Sequence, residues 1–81
     1  MALMTRAEFQ TAVEDILKVP RGSLKESDSR DTVESWSSFV DVEILEFVVQ
    51  RFGLEAEADL MEAETFGDLV RLLEQKEAFA G

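Results

Sequence analysis

The amino-acid sequence predicts an all-α fold: a small bundle of three main helices and one short helix, with a long loop after the first. Three observations carry this. Apolar residues recur at helical spacing in three segments, hydroxyl side chains stand where helices should begin, and glycine or proline stands where they should stop. No stretch alternates apolar and polar residues as a strand does, and no internal repeat is present.

The first helix is expected over about residues 5–18. Thr5 and Glu8 have the spacing of a capping box, in which hydroxyl and carboxylate satisfy free backbone N–H groups. Phe9, Val13, Ile16 and Leu17 then form one apolar stripe. Pro20 and Gly22 end the helix near Lys18 or Val19, because the residue before a proline is pushed out of helical geometry. From Pro20 to Ser35 no period is visible, and Leu24, Val33 and Trp36 are the expected anchors of this connection.

The second helix, about 38–52, begins at Ser37 or Ser38, either of which can serve as N-cap, and Gly53 stops it. Val42, Leu45, Val48, Val49 and Phe52 form its expected stripe, widened by Val40, Ile44 and Phe47. Glu43, Glu46 and Gln50, with Asp41 beside them, are left as a narrow polar strip. A short helical turn is expected over about 57–62. The last helix, about 66–76, opens on a Thr65–Asp68 box and buries Phe66, Leu69, Val70 and Leu73. The tail from Glu77 to Gly81 is expected to fray.

Eighty-one residues make one small domain, residues 1–81, with one core. Cysteine and histidine are both absent, which removes disulfides, thiolate metal sites and the commonest general base. That tilts the expectation away from an enzyme, and no catalytic residue is assigned. Net charge is −10, and between Glu26 and Asp68 thirteen acidic side chains face two basic ones, Arg30 and Arg51. Such a surface repels nucleic acid and anionic membrane and attracts basic partners. No apolar run approaches a membrane span, and the start is too short for a signal peptide, so a soluble, cytoplasmic monomer is the expectation. The acidic run from Glu55 to Glu64 lacks the alternating oxygen ligands and central glycine of a calcium loop, and no metal site is expected.

Trp36-Ser37-Ser38-Phe39, continuing through Val42-Glu43-Ile44-Leu45 to Arg51-Phe52-Gly53-Leu54, resembles the signature of the acyl carrier protein family. There an Asp-Ser-Leu triplet opens the second helix and an aromatic-Gly pair closes it. Val19-Pro20-Arg21-Gly22-Ser23-Leu24 is similar to the family's segment after helix one. Thr65-Phe66-Gly67-Asp68-Leu69-Val70 is similar to the segment that opens its last helix. The resemblance spans about Phe9 to Leu73 and rests on the order and spacing of these segments together.

The resemblance implies a carrier-type bundle in which Ser38 bears a covalent phosphopantetheine arm, attached by a phosphopantetheinyl transferase. The arm's thiol would carry an acyl or aminoacyl group in fatty acid, polyketide or nonribosomal peptide biosynthesis. Asp41, Glu43 and Glu46, with Phe39 and Val42 as apolar contacts, would meet basic docking patches on loading and processing enzymes. Two positions depart from the family pattern: Ser37 stands where the family has Asp, and Val40 where a polar residue is frequent. Ser37 motivates an alternative, an unmodified carrier-like interaction module. A third reading is an acidic decoy that competes with nucleic acid for a basic protein.

Overall fold

A computed structural model of the chain describes residues 4–54 and 58–79. Four helices follow in order: α1 (Arg6–Leu17), α2 (Ser38–Phe52), α3 (Ala58–Glu62) and α4 (Phe66–Gln75). Among the described residues there is no strand, only an isolated antiparallel bridge between Ser29 and Thr65. Residue 57, where the short helix was expected to start, lies outside the described residues.

The helix ends follow from local chemistry. Glu8 N–H donates to Thr5 Oγ1 at 3.1 Å, and Thr5 N–H donates back to the Glu8 carboxylate at 2.8 Å. The backbone bond holds the Glu8 carboxyl below its ordinary range. α1 stops where Lys18 turns left-handed (φ 60°), two residues before Pro20. Gly53 closes α2 in the same region (φ 67°), where a glycine carries no steric cost. Thr65 and Asp68 close the second capping box, with Asp68 N–H donating to Thr65 Oγ1 at 3.0 Å.

α1 packs on α2 and α3 on α4. Phe9, Val13 and Leu17 are fully buried, and the α2 residues that meet this core are Ile44, Val48 and Phe52. That corrects the expected stripe: Leu45 and Val49 are only half-buried, and Val42 is exposed. Apolar residues occupy nearly every turn of α2, so periodicity cannot choose a face. Packing chooses it, and the surplus apolar side chains are left on the outside. Phe9 sits at the centre of an aromatic cluster, its ring centroid 5.7 Å from Phe66, 5.9 Å from Phe52 and 5.6 Å from Phe79.

Phe79 also corrects the tail up to residue 79, residues 80 and 81 lying outside the described residues. Ala78 is buried, its N–H donates to Leu73 O at 2.9 Å, and Phe79 lies edge-on to Phe52. Two apolar side chains within reach of an open aromatic core outweigh the fraying expected of a chain end.

The long loop is tied down at three places. Glu14, buried within α1, accepts from Leu24 N–H at 3.0 Å and from Gln10 Nε2 at 3.2 Å. Burial pushes the Glu14 carboxyl up, but bonds from the Leu24, Gly22 and Ser23 amides and Gln10 outweigh it and hold it below the usual range. Ser35 Oγ donates to Leu17 O at 2.6 Å, while Leu24 and Trp36 are buried in the core and Val33 packs against it. At the far side the loop is clamped to the start of α4. Phe66 N–H donates to Asp28 O and Gly67 N–H to Glu26 O, both at 2.9 Å. Gly67 is the residue that permits this approach, since a Cβ there would lie 2.9 Å from the Glu26 carbonyl oxygen.

Candidate functional site

The beginning of α2 separates two serines that the sequence left interchangeable. Ser37 is the N-cap: its Oγ accepts from Val40 N–H at 3.3 Å, and its carbonyl accepts from Asp41 N–H at 2.9 Å. Ser38 is the first helical residue. It is exposed, and its hydroxyl makes no hydrogen bond among the described residues. It opens into a cleft of about 430 Å³ whose other walls are Ser29, Arg30 and Asp31 of the loop and Glu64 and Thr65 before α4. The clamp between loop and α4 is what assembles those walls around the start of α2.

The acidic residues beside Ser38 divide in role. Glu43 and Glu46 are exposed. Asp41 is half-buried and engaged: its Oδ1 accepts from Trp36 Nε1 at 3.1 Å, and its Oδ2 lies 3.7 Å from Arg30 Nη1. Trp36 is itself buried, so this contact joins the core, the loop and the first turn of α2 through one carboxylate. Asp41 was expected among the docking residues; in the structure its half-buried carboxylate also has these internal partners.

The apolar residues expected at the surface are there. Phe39 is 74% exposed and Val42 53%. Met61 of α3, 63% exposed, joins them and was not foreseen. Val42, Leu45, Val49 and Met61 line an apolar groove of about 400 Å³ with Glu46 and Gln50 at its rim. The outer face of α2 therefore presents exposed apolar side chains flanked by Glu43 and Glu46. Another cleft, about 470 Å³, opens between Val19, Leu24 and Val33 on the loop, but neither Ser38 nor the exposed residues of α2 line it.

Comparison with protein-family models, with curated proteins and with solved structures gave no match. Among the described residues no group of three or more carboxylates gathers in a metal-binding arrangement, and no helix is long and apolar enough to cross a membrane.

Sequence reasoning missed three residues that build this region. Gly67 makes the loop clamp, Glu14 holds the loop's first turn, and Arg30 reaches Asp41. Two of these left a trace: a glycine in the first turn of an otherwise good helix is costly without a reason. Gln10 and Glu14 stand four apart alongside the Phe9–Val13–Leu17 stripe, where an apolar pair would be ordinary.

Proposed function

We propose that this chain is a carrier of the acyl carrier protein type, bearing phosphopantetheine on Ser38 and presenting an acyl or aminoacyl group to partner enzymes. The observation that supports it best is the division of labour between the two serines. Ser37 does the capping, so Ser38 is spared a structural role and stands exposed at the helix start. The helix order, the long first loop and the short third helix agree with the carrier resemblance.

The residues around Ser38 suit a phosphodiester. The cleft beside the hydroxyl is open, the arginine of its wall carries positive charge, and the Ser38 and Phe39 amides have no acceptor among the described residues. A helix start of this kind favours negative charge. Attachment exchanges the Ser38 O–H for an O–P bond, with coenzyme A as donor, adenosine 3′,5′-bisphosphate leaving and the proton passing to the transferase. When bound, the arm supplies a thiol that carries cargo as a thioester. The chain's own residues position that arm and dock partners: Phe39 and Val42 supply apolar contact, and Glu43 and Glu46 attract basic patches. Mass spectrometry after incubation with coenzyme A and a broad-specificity phosphopantetheinyl transferase tests the reading. Addition of one phosphopantetheine to the wild type and none to Ser38→Ala is expected; an unmodified wild type refutes it.

One observation favours a second reading, an unmodified module of the same shape. The family's Asp is replaced by Ser37, and the nearby carboxylate of Asp41 is occupied by Trp36 and Arg30. On that reading a partner binds modified and unmodified chains equally, and Ser38→Ala leaves the affinity unchanged.

A further inference from the structure

Arg30 and Ser38 come from segments that the sequence leaves unrelated, yet they line one cleft. Arg30 is the sole basic residue between Lys25 and Arg51. Its present partner holds it weakly: the gap to Asp41 Oδ2 is 3.7 Å, outside hydrogen-bond range, and its side chain is 45% exposed. Two other groups on the cleft, Asp31 and Glu64, are acidic and would repel an anion. A phosphodiester on Ser38 therefore has a single cationic side chain within its cleft.

We propose that Arg30 is the positioning residue for the arm, exchanging its loose pairing with Asp41 for the phosphodiester once Ser38 is loaded. This rests on the carrier reading. The cleft, about 430 Å³ against the roughly 30 Å³ that one water occupies in the liquid, has room for a hydrated phosphodiester. A guanidinium offers several N–H donors in a fixed fork that suits phosphate oxygens. The loop that carries Arg30 is fixed on both sides, by the Ser29–Thr65 bridge and by Thr32 N–H and Val33 N–H donating to Ser29 O at 3.1 and 2.9 Å. The arm's root is thus held against the loop, and its thiol end is directed from a defined origin rather than from a free pivot.

The exchange has a reporter. Trp36, the only tryptophan, donates to the same Asp41 carboxylate that Arg30 would leave. The experiment loads wild type, Arg30→Gln and Arg30→Lys with phosphopantetheine and confirms loading by mass and helicity by circular dichroism. It then records the ³¹P resonance of the phosphodiester and the change in Trp36 emission on loading. The expected result is a wild-type ³¹P shift displaced from that of a free phosphodiester and an emission change on loading. Both should be lost in Arg30→Gln and partly kept in Arg30→Lys. Both should also fade in the wild type as salt rises towards 1 M, where screening acts over about 3 Å. Fully loaded wild type and Arg30→Gln with identical ³¹P shifts and emission changes would overturn the role of Arg30 and leave the carrier reading intact. Failure of the wild type to load would overturn both.

Discussion

Replacing Gly67 by alanine should unfasten the loop from α4. A Cβ built there lies 2.9 Å from the Glu26 carbonyl oxygen, 3.0 Å from Glu26 Cβ and 3.4 Å from Glu26 C. Non-bonded carbon atoms prefer about 3.5–4.0 Å, so the loop backbone must retreat by several tenths of an ångström. The obstructing atom is backbone, and it also accepts the Gly67 N–H bond at 2.9 Å. Overpacking of this kind costs about 1–3 kcal/mol. Weakening the Gly67–Glu26 bond and its neighbour Phe66–Asp28 adds about 0.5–1.5 kcal/mol each if lost outright. Against this stands the better helix propensity of alanine, at most about 1 kcal/mol. The net expectation is a loss of about 1–3 kcal/mol. For a chain of this size that lowers Tm by about 5–20 °C. Urea unfolding followed by circular dichroism measures it as a lower midpoint at unchanged slope. A Gly67→Ala variant as stable as the wild type, or more so, would refute the claim that close backbone approach dictates the glycine.

Gly53→Ala provides the contrast. Nothing lies within 4 Å of its added Cβ, so only the left-handed conformation is penalised, about 1 kcal/mol, measured in the same assay. Ser37→Ala should cost about 1 kcal/mol as a lost cap, while Ser38→Ala should be neutral within about 0.5 kcal/mol and differ only in loading. Asp41→Ala should destabilise by about 1–2 kcal/mol and shift Trp36 emission, whereas Glu43→Gln and Glu46→Gln should leave both unchanged and weaken binding to a basic partner at low salt. Glu14 has a depressed carboxyl in the folded chain, so its contribution is present above the unfolded value near 4.3 and lost as pH falls through the folded one. Glu14→Gln should therefore be less stable than the wild type at pH 7, and urea midpoints should converge at acid pH.

What was legible in the sequence was what local chemistry decides. Thr5 with Glu8, Thr65 with Asp68, and Gly53 each set a helix boundary from a few neighbouring residues, and the helices begin and end there. Contacts between distant segments were not legible. The buried face of α2 was only partly placed, with Val48 and Phe52 right, because Val42, Leu45 and Val49 look as apolar as Ile44, and only packing against the rest of the core decides among them. Phe79 escaped notice because chain ends usually gain little by packing, whereas here a ring cluster is open to receive it. The site divides in the same way. Ser38, Phe39, Glu43 and Glu46 sit at the surface, and so does Val42, which the periodicity had placed in the apolar stripe. Asp41 is half-buried because Trp36 donates to its carboxylate, with Arg30 beside it from a loop without any period to read.

The clamp between the loop and α4 also bears on how the chain assembles. α1, α2 and α4 can each form from local bonds, but Ser29 and Thr65 meet only after the intervening chain has closed on itself. Closure carries an entropy cost before any clamp bond repays it. The ring cluster closes longer loops still, but it repays them with buried rings. The clamp rests on backbone bonds at exposed Glu26 and half-buried Asp28 and Ser29, so those bonds should open before the cluster does. Hydrogen exchange would see this as Phe66 and Gly67 amides exchanging faster than those of Val48 and Leu73. Because the same opening would draw Ser29 away from Thr65, it would also widen the cleft beside Ser38. If the carrier reading holds, a transferase that must surround the serine would find the cleft already able to open there.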